Sequence, residues 1–188
     1  MVALALGTLP LLAQEKVEVK RLGKTVTQYR DGVIRVVLST KYANANTGRA
    51  WIPMEFAVAG DGTKPFEIFR EDISLYDPEG RVIPLPTQKA MAEGVPDVQA
   101  ALHVARALAE PVVGYFPFSD IEQDLKFFTI PGEGIVLEMV GVSQRRMARG
   151  WLFFQSPTGK WNGEYQLIIK NKAVDVRMPF RLPAPDFP

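Results

Sequence analysis

The sequence predicts an all-β fold with a helical insertion, arranged as an antiparallel β-sandwich or barrel. Three observations predict it. Apolar and polar side chains alternate with a period of two in run after run, short turn-forming clusters separate those runs, and one central stretch switches to helical spacing. The cleanest alternation closes the chain, where Val174, Val176, Met178, Phe180 and Leu182 interleave with Asp175, Arg177, Pro179 and Arg181. One face is apolar and the other polar, as a half-buried antiparallel strand requires.

In chain order, Met1–Ala13 comes first, apolar and uncharged. It is shorter than the roughly 20 residues a membrane helix needs, and it fits the apolar region of a signal peptide cleaved after Ala13. No Lys or Arg precedes it and Leu11 occupies the −3 position, so the alternative is an apolar arm that stays attached. Export is the favoured expectation, to the periplasm, cell surface or extracellular space, with residues 14–188 forming one domain and no transmembrane span. Strands follow near Thr25–Tyr29, Val33–Tyr42, Trp51–Ala59 and Ile73–Tyr76, then near Ile135–Val142 and Gly150–Phe154. Asp31-Gly32, Asp61-Gly62, Asp77-Pro78-Glu79-Gly80 and Asn162-Gly163 punctuate them with turn chemistry. The short connection Lys170-Asn171-Lys172 joins the run from Tyr165 to the closing run as a hairpin.

Helical spacing covers Asp97–Ala109, where Val98, Ala101, Leu102, Ala105 and Leu108 share a stripe opposite Gln99, His103 and Arg106. Pro96 suits the first turn and Pro111 stops the helix. Ser119 and Glu122 have capping-box spacing for a second, shorter turn. Residues of about 84–124 therefore form the insertion.

Composition narrows the chemistry. With 188 residues, 47% of them apolar, the chain can bury a core without covalent staples. It has no cysteine and a single histidine, His103, which excludes disulfides, a cysteine nucleophile and a histidine-rich zinc site. A net charge of +1 gives no bulk attraction to nucleic acid or membrane. Charge is nevertheless segregated: eight bases face three acids over 14–49, six face fifteen over 50–139, and eight face two over 140–182. That pattern is either scatter over a solvated surface or a bipolar molecule whose copies attract one another.

Few residues invite catalysis. His103 on the polar stripe has no partner at a fixed spacing, so it reads as a solvated helix residue. No Gly-x-Ser-x-Gly elbow and no phosphate-binding glycine loop is present. Asp120, Glu122 and Asp124 suggest calcium by residue type, but Ser119 capping explains the same pattern. Arg145, Arg146 and Arg149 make a short basic run for a phosphate or carboxylate, or a solvated loop. Tyr115, Phe116 and Phe118 either pack the insertion onto the sheets or form a contact patch. No cofactor and no metal site is expected.

The runs Val33-Ile34-Arg35-Val36-Val37-Leu38 and Asp72-Ile73-Ser74-Leu75-Tyr76-Asp77-Pro78-Glu79-Gly80 carry a resemblance. So do Pro131-Gly132-Glu133 ahead of Gly150-Trp151-Leu152-Phe153-Phe154, and the closing hairpin. Together they resemble the immunoglobulin-like antiparallel β-sandwich domains of exported bacterial proteins of unassigned role. The resemblance covers most of Thr25 to Leu182 outside the insertion and lacks the Cys-Trp-Cys signature of antibody domains. By analogy of fold, it implies adhesion, recognition or scaffolding more often than catalysis.

The expected function is thus a non-enzymatic structural or protein-interaction module of the bacterial cell envelope. Its partner is another protein or a second copy, head to tail. The alternative is a glycan- or small-ligand-binding domain using exposed rings, with Trp161 the leading stacking candidate. A third reading, a hydrolase built on paired carboxylates, requires a deep pocket holding a carboxylate of raised pKa.

Overall fold

The computed structural model describes residues 17–117 and 119–184. The expected signal peptide lies outside them. The described residues begin with β1 (Glu18–Arg21), β2 (Val26–Arg30), β3 (Ile34–Ser39), α1 (Lys41–Ala45) and β4 (Trp51–Gly60). β5 (Phe66–Phe69), β6 (Ile73–Tyr76) and β7 (Val82–Pro84) lead into α2 (Gln88–Glu93) and α3 (Val95–Ala107). The last part comprises β8 (Ile121–Leu125), β9 (Met139–Val142), β10 (Arg146–Gln155), β11 (Gly163–Lys170) and β12 (Asp175–Leu182).

The fold is mainly β, with three open sheets and a few helices. A six-stranded sheet runs β1-β2-β3-β4-β10-β8, a four-stranded sheet runs β12-β11-β6-β7, and β5 pairs with β9. Turn side chains set the hairpins. Asp31 Oδ1 accepts the N–H groups of Val33 and Ile34, both at 2.9 Å, closing β2 onto β3. Asp77 does the same between β6 and β7, accepting from Glu79 and Arg81 at 3.0 and 2.7 Å. Asn171 Oδ1 holds Ala173 and Val174 in the predicted β11–β12 hairpin.

Alternation delivers one face of each larger sheet to a common core. Ile34, Val36 and Leu38 of β3 and Met54, Phe56 and Val58 of β4 meet Leu75, Leu167, Ile169 and Met178 of the smaller sheet in one buried cluster. The six-stranded sheet is buried on its other face too. α3 lies on β4 and supplies Val98, Ala101, Leu102 and Ala105 to the same core, and the turn at Val112–Tyr115 caps a second cluster of Val26, Val37, Ala57 and Met147. All ten residues of β4 are consequently buried.

Several expectations need correction. The helix is found at Val95–Ala107 with Pro96 in its first turn, but α2 precedes it. β3 ends at Ser39 and Tyr42 lies in α1, because the chain turns helical after Thr40, whose carbonyl accepts the N–H of Asn44 at 2.9 Å. The strand expected from Ile135 begins only at Met139, and Ile135 is exposed. The turn expected at Ser119 is instead followed by strand β8, parallel to β10 in an otherwise antiparallel sheet, while Ser119 Oγ donates to Gln144 O. Five residues of strand pairing there outweigh one local cap. The final part of the 84–124 segment is therefore the edge of the main sheet.

Candidate functional site

A cavity of about 370 Å³ opens on the outer face of the six-stranded sheet, between α3, strand β10, the edge strand β8, and the loop after β8. Its floor and walls follow from strand register. Glu55 of β4 stands opposite Trp151 of β10, and Arg149, two residues earlier on β10, stands opposite Asp124 of β8. Side chains of these alternating positions project to the same face. Phe153 continues the row and packs edge-on against Phe128, ring centroids 5.9 Å apart at 89°. Met91, Val98 and Leu102 close the helical side.

Glu55 is the polar centre of the cavity. It is 7% exposed, and its Oε2 accepts the backbone N–H of Glu110 at 2.8 Å just beyond α3. Burial pushes its carboxyl above the ordinary range; the Glu110 N–H and the Arg149 and Lys41 charges act in the opposite sense and only partly offset it. Other cavity charges are engaged elsewhere. Arg149 pairs with Glu122, and Lys126 lies 3.6 Å from Asp124.

The residues singled out from sequence scatter over the molecule. Arg149 lines this cavity, whereas Arg145 is forked onto Asp120 on the surface. That ion pair holds Asp120 below the usual carboxylate range. Arg146 is exposed beside a separate hollow with Phe66, Ile121 and Val142. Tyr115 is half-buried and Phe116 is buried in the cluster that covers the outer face; Phe118 lies outside the described residues. Trp161 is 1% exposed, with Nε1–H donating to Arg49 O at 2.9 Å and its ring against Tyr165. It is a core residue and offers no stacking platform. His103 faces outward from α3.

The segregated charges meet largely inside the chain. Basic β10 lies beside acidic β8 through Arg145–Asp120 and Arg149–Glu122, and Arg30 and Arg35 converge on Asp61. Asp120, Glu122 and Asp124 are each held by a base, so they make no joint oxygen cage. Among the described residues no group of three or more His, Cys, Asp or Glu side chains is placed to hold a metal ion. Nor, among them, is any helix long and apolar enough to cross a membrane.

No family model, curated protein or solved structure matches this chain. Its chemistry therefore rests on the cavity itself. An aromatic wall, a helical lid and one buried carboxylate can desolvate and orient a small organic group. The sequence pointed to the arginines but not to Glu55, although β4 carried a signal: Trp51, Pro53, Ala57 and Ala59 make its second face apolar as well.

Proposed function

We propose that this chain is an exported, non-catalytic binding module of the cell envelope, built on an immunoglobulin-like sandwich, and that it binds through the α3–β10 cavity. The observation that carries the reading is the conjunction of Glu55 with the half-buried Trp151 in a cavity of ligand size. The shared core of the two larger sheets supports the sandwich, and the apolar Met1–Ala13 supports export. The test is backbone NMR of the labelled chain titrated with a panel of small molecules and oligosaccharides. Shift changes are expected around Trp151, Phe128 and the C-terminal half of α3. Binding that maps only elsewhere, or no binding across the panel, overturns the reading. Mass analysis of the native N terminus tests export.

One observation favours hydrolysis as a second reading: a carboxyl of raised pKa in a cavity is what a general acid requires. Turnover of chromogenic glycosides or esters that vanishes in Glu55→Gln would establish it. Head-to-tail self-association draws support from the open sheet edges at β1 and β8, but less from charge, since the opposed segments already neutralise one another. Sedimentation of an unchanged monomer at low and high salt removes it.

A further inference from the structure

We infer that the α3–β10 cavity selects a small organic cation, an amine or amidine carried on an apolar or aromatic body, with Glu55 as its counter-charge and Trp151 as its platform. This deepens the binding reading above and rests on it. The charge balance around the cavity carries the inference. Arg149 and Lys126, two of its three bases, are engaged by Glu122 and Asp124. The lining holds three acids and three bases, but Glu122, outside it, claims Arg149, which leaves Glu55, Glu133 and Arg106 without an ion pair among the described residues, a residual charge of −1. Of these, Glu55 is the buried one, whereas Arg106 and Glu133 are exposed at the mouth.

A buried carboxylate that keeps one backbone hydrogen bond and no direct ion pair, with Arg149 and Lys41 acting on it only from a distance, is poorly solvated, so an arriving ammonium is worth more to it than to a carboxylate in water. The neighbouring surface suits the rest of such a ligand. Trp151 is half-buried on the same face, and the Phe128–Phe153 pair and Leu102 are apolar. An indole face beside a carboxylate attracts a cation through its quadrupole and an aromatic body through stacking. An anionic ligand would meet Glu55 with like charge, and a neutral one would leave the carboxylate desolvated without compensation.

The experiment is calorimetric titration of the full chain with three probes of one shape and different charge: phenethylamine, phenethyl alcohol and 3-phenylpropionate. Wild type, Glu55→Gln and Trp151→Ala are compared. Glutamine can still accept the Glu110 N–H, so Glu55→Gln removes charge and keeps the anchor. The amine is expected to bind at least about tenfold more tightly than the other two. Glu55→Gln should abolish that preference with no fall in melting temperature, and Trp151→Ala should weaken all binding. Equal binding of the three probes, or an amine preference that survives Glu55→Gln, overturns the cation assignment and leaves the cavity a binding site. Absence of amine binding to millimolar concentration also overturns it. The NMR panel then decides separately whether the cavity binds anything.

Discussion

Substituting Gly150 by alanine should splay the end of the outermost strand of the large sheet and disturb the cavity with it. Gly150 stands opposite Leu125, the last rung of the β8–β10 ladder. A Cβ at Gly150 would lie 2.7 Å from the Leu125 carbonyl oxygen and 2.8 Å from its Cβ. Neither atom is the end of a flexible side chain, so β8 itself has to move. Overpacking of this kind costs about 1–3 kcal/mol, and about 2 is expected here because a final rung can splay without breaking the others. For a chain of this size that lowers the melting temperature by roughly 4–8 °C. Gly141 on β9 is the control, since a Cβ there meets nothing within 4 Å; Gly141→Ala should stay within about 0.5 kcal/mol of wild type. Thermal melts of the three proteins, with hydrogen exchange at Ile121–Leu125, form the assay. Equal melting temperatures and equal exchange for Gly150→Ala and wild type would refute the tight β8–β10 contact.

Other outcomes follow from the charges. Asp61, its side chain 2% exposed, bridges Arg30 and Arg35, so Asp61→Ala strands a largely buried guanidinium and should cost about 3 kcal/mol in chemical denaturation. Burial raises the Asp61 carboxyl, but the hydrogen bonds and charges of the two arginines outweigh it and leave it below the ordinary range. Its stabilisation is thus fully present above the normal carboxylate pKa and lost as pH falls through the lowered one; denaturation curves of wild type and Asp61→Asn should converge at acid pH. Glu55 has the opposite sign. Its raised carboxyl binds a proton more tightly when folded, so wild type loses stability as pH climbs from the ordinary carboxylate range through the raised value. Glu55→Gln should flatten that slope and be at least as stable as wild type at pH 7. Arg145→Ala, by contrast, removes a fully exposed, salt-screened pair and should leave the thermal melt indistinguishable from wild type.

The strands legible in the sequence were those whose two faces differ. β12 alternates buried and exposed without a break over Asp175–Leu182, and its hairpin with β11 follows from Asn171. Four strands carried no such contrast. β1 is exposed throughout, β5 and β7 are four and three residues long, and β8 buries only Leu125 of its five residues. Their conformation comes from partners distant in the chain. β8 is a strand because β10 offers a free edge, not because Ile121–Leu125 prefers to be extended. The site was hidden for a related reason. Glu55 occupies a position that alternation alone assigns to solvent, and only α3 and the following turn bring it under cover. Trp161 reads as a turn residue beside Asn162-Gly163, yet its indole N–H is claimed by Arg49, 112 positions away.

The path from β7 to β8 leaves the four-stranded sheet and enters the six-stranded one, which makes the helical segment a seam between the two and not an ornament on either. A shortened chain that joined Pro84 directly to Lys126 would do more than strip a lid. It would bare the flank of β10, take away the acids that hold Arg145 and Arg149, and turn the partnered border of the sheet into a sticky one. Any minimal version of this protein has to carry that seam whole.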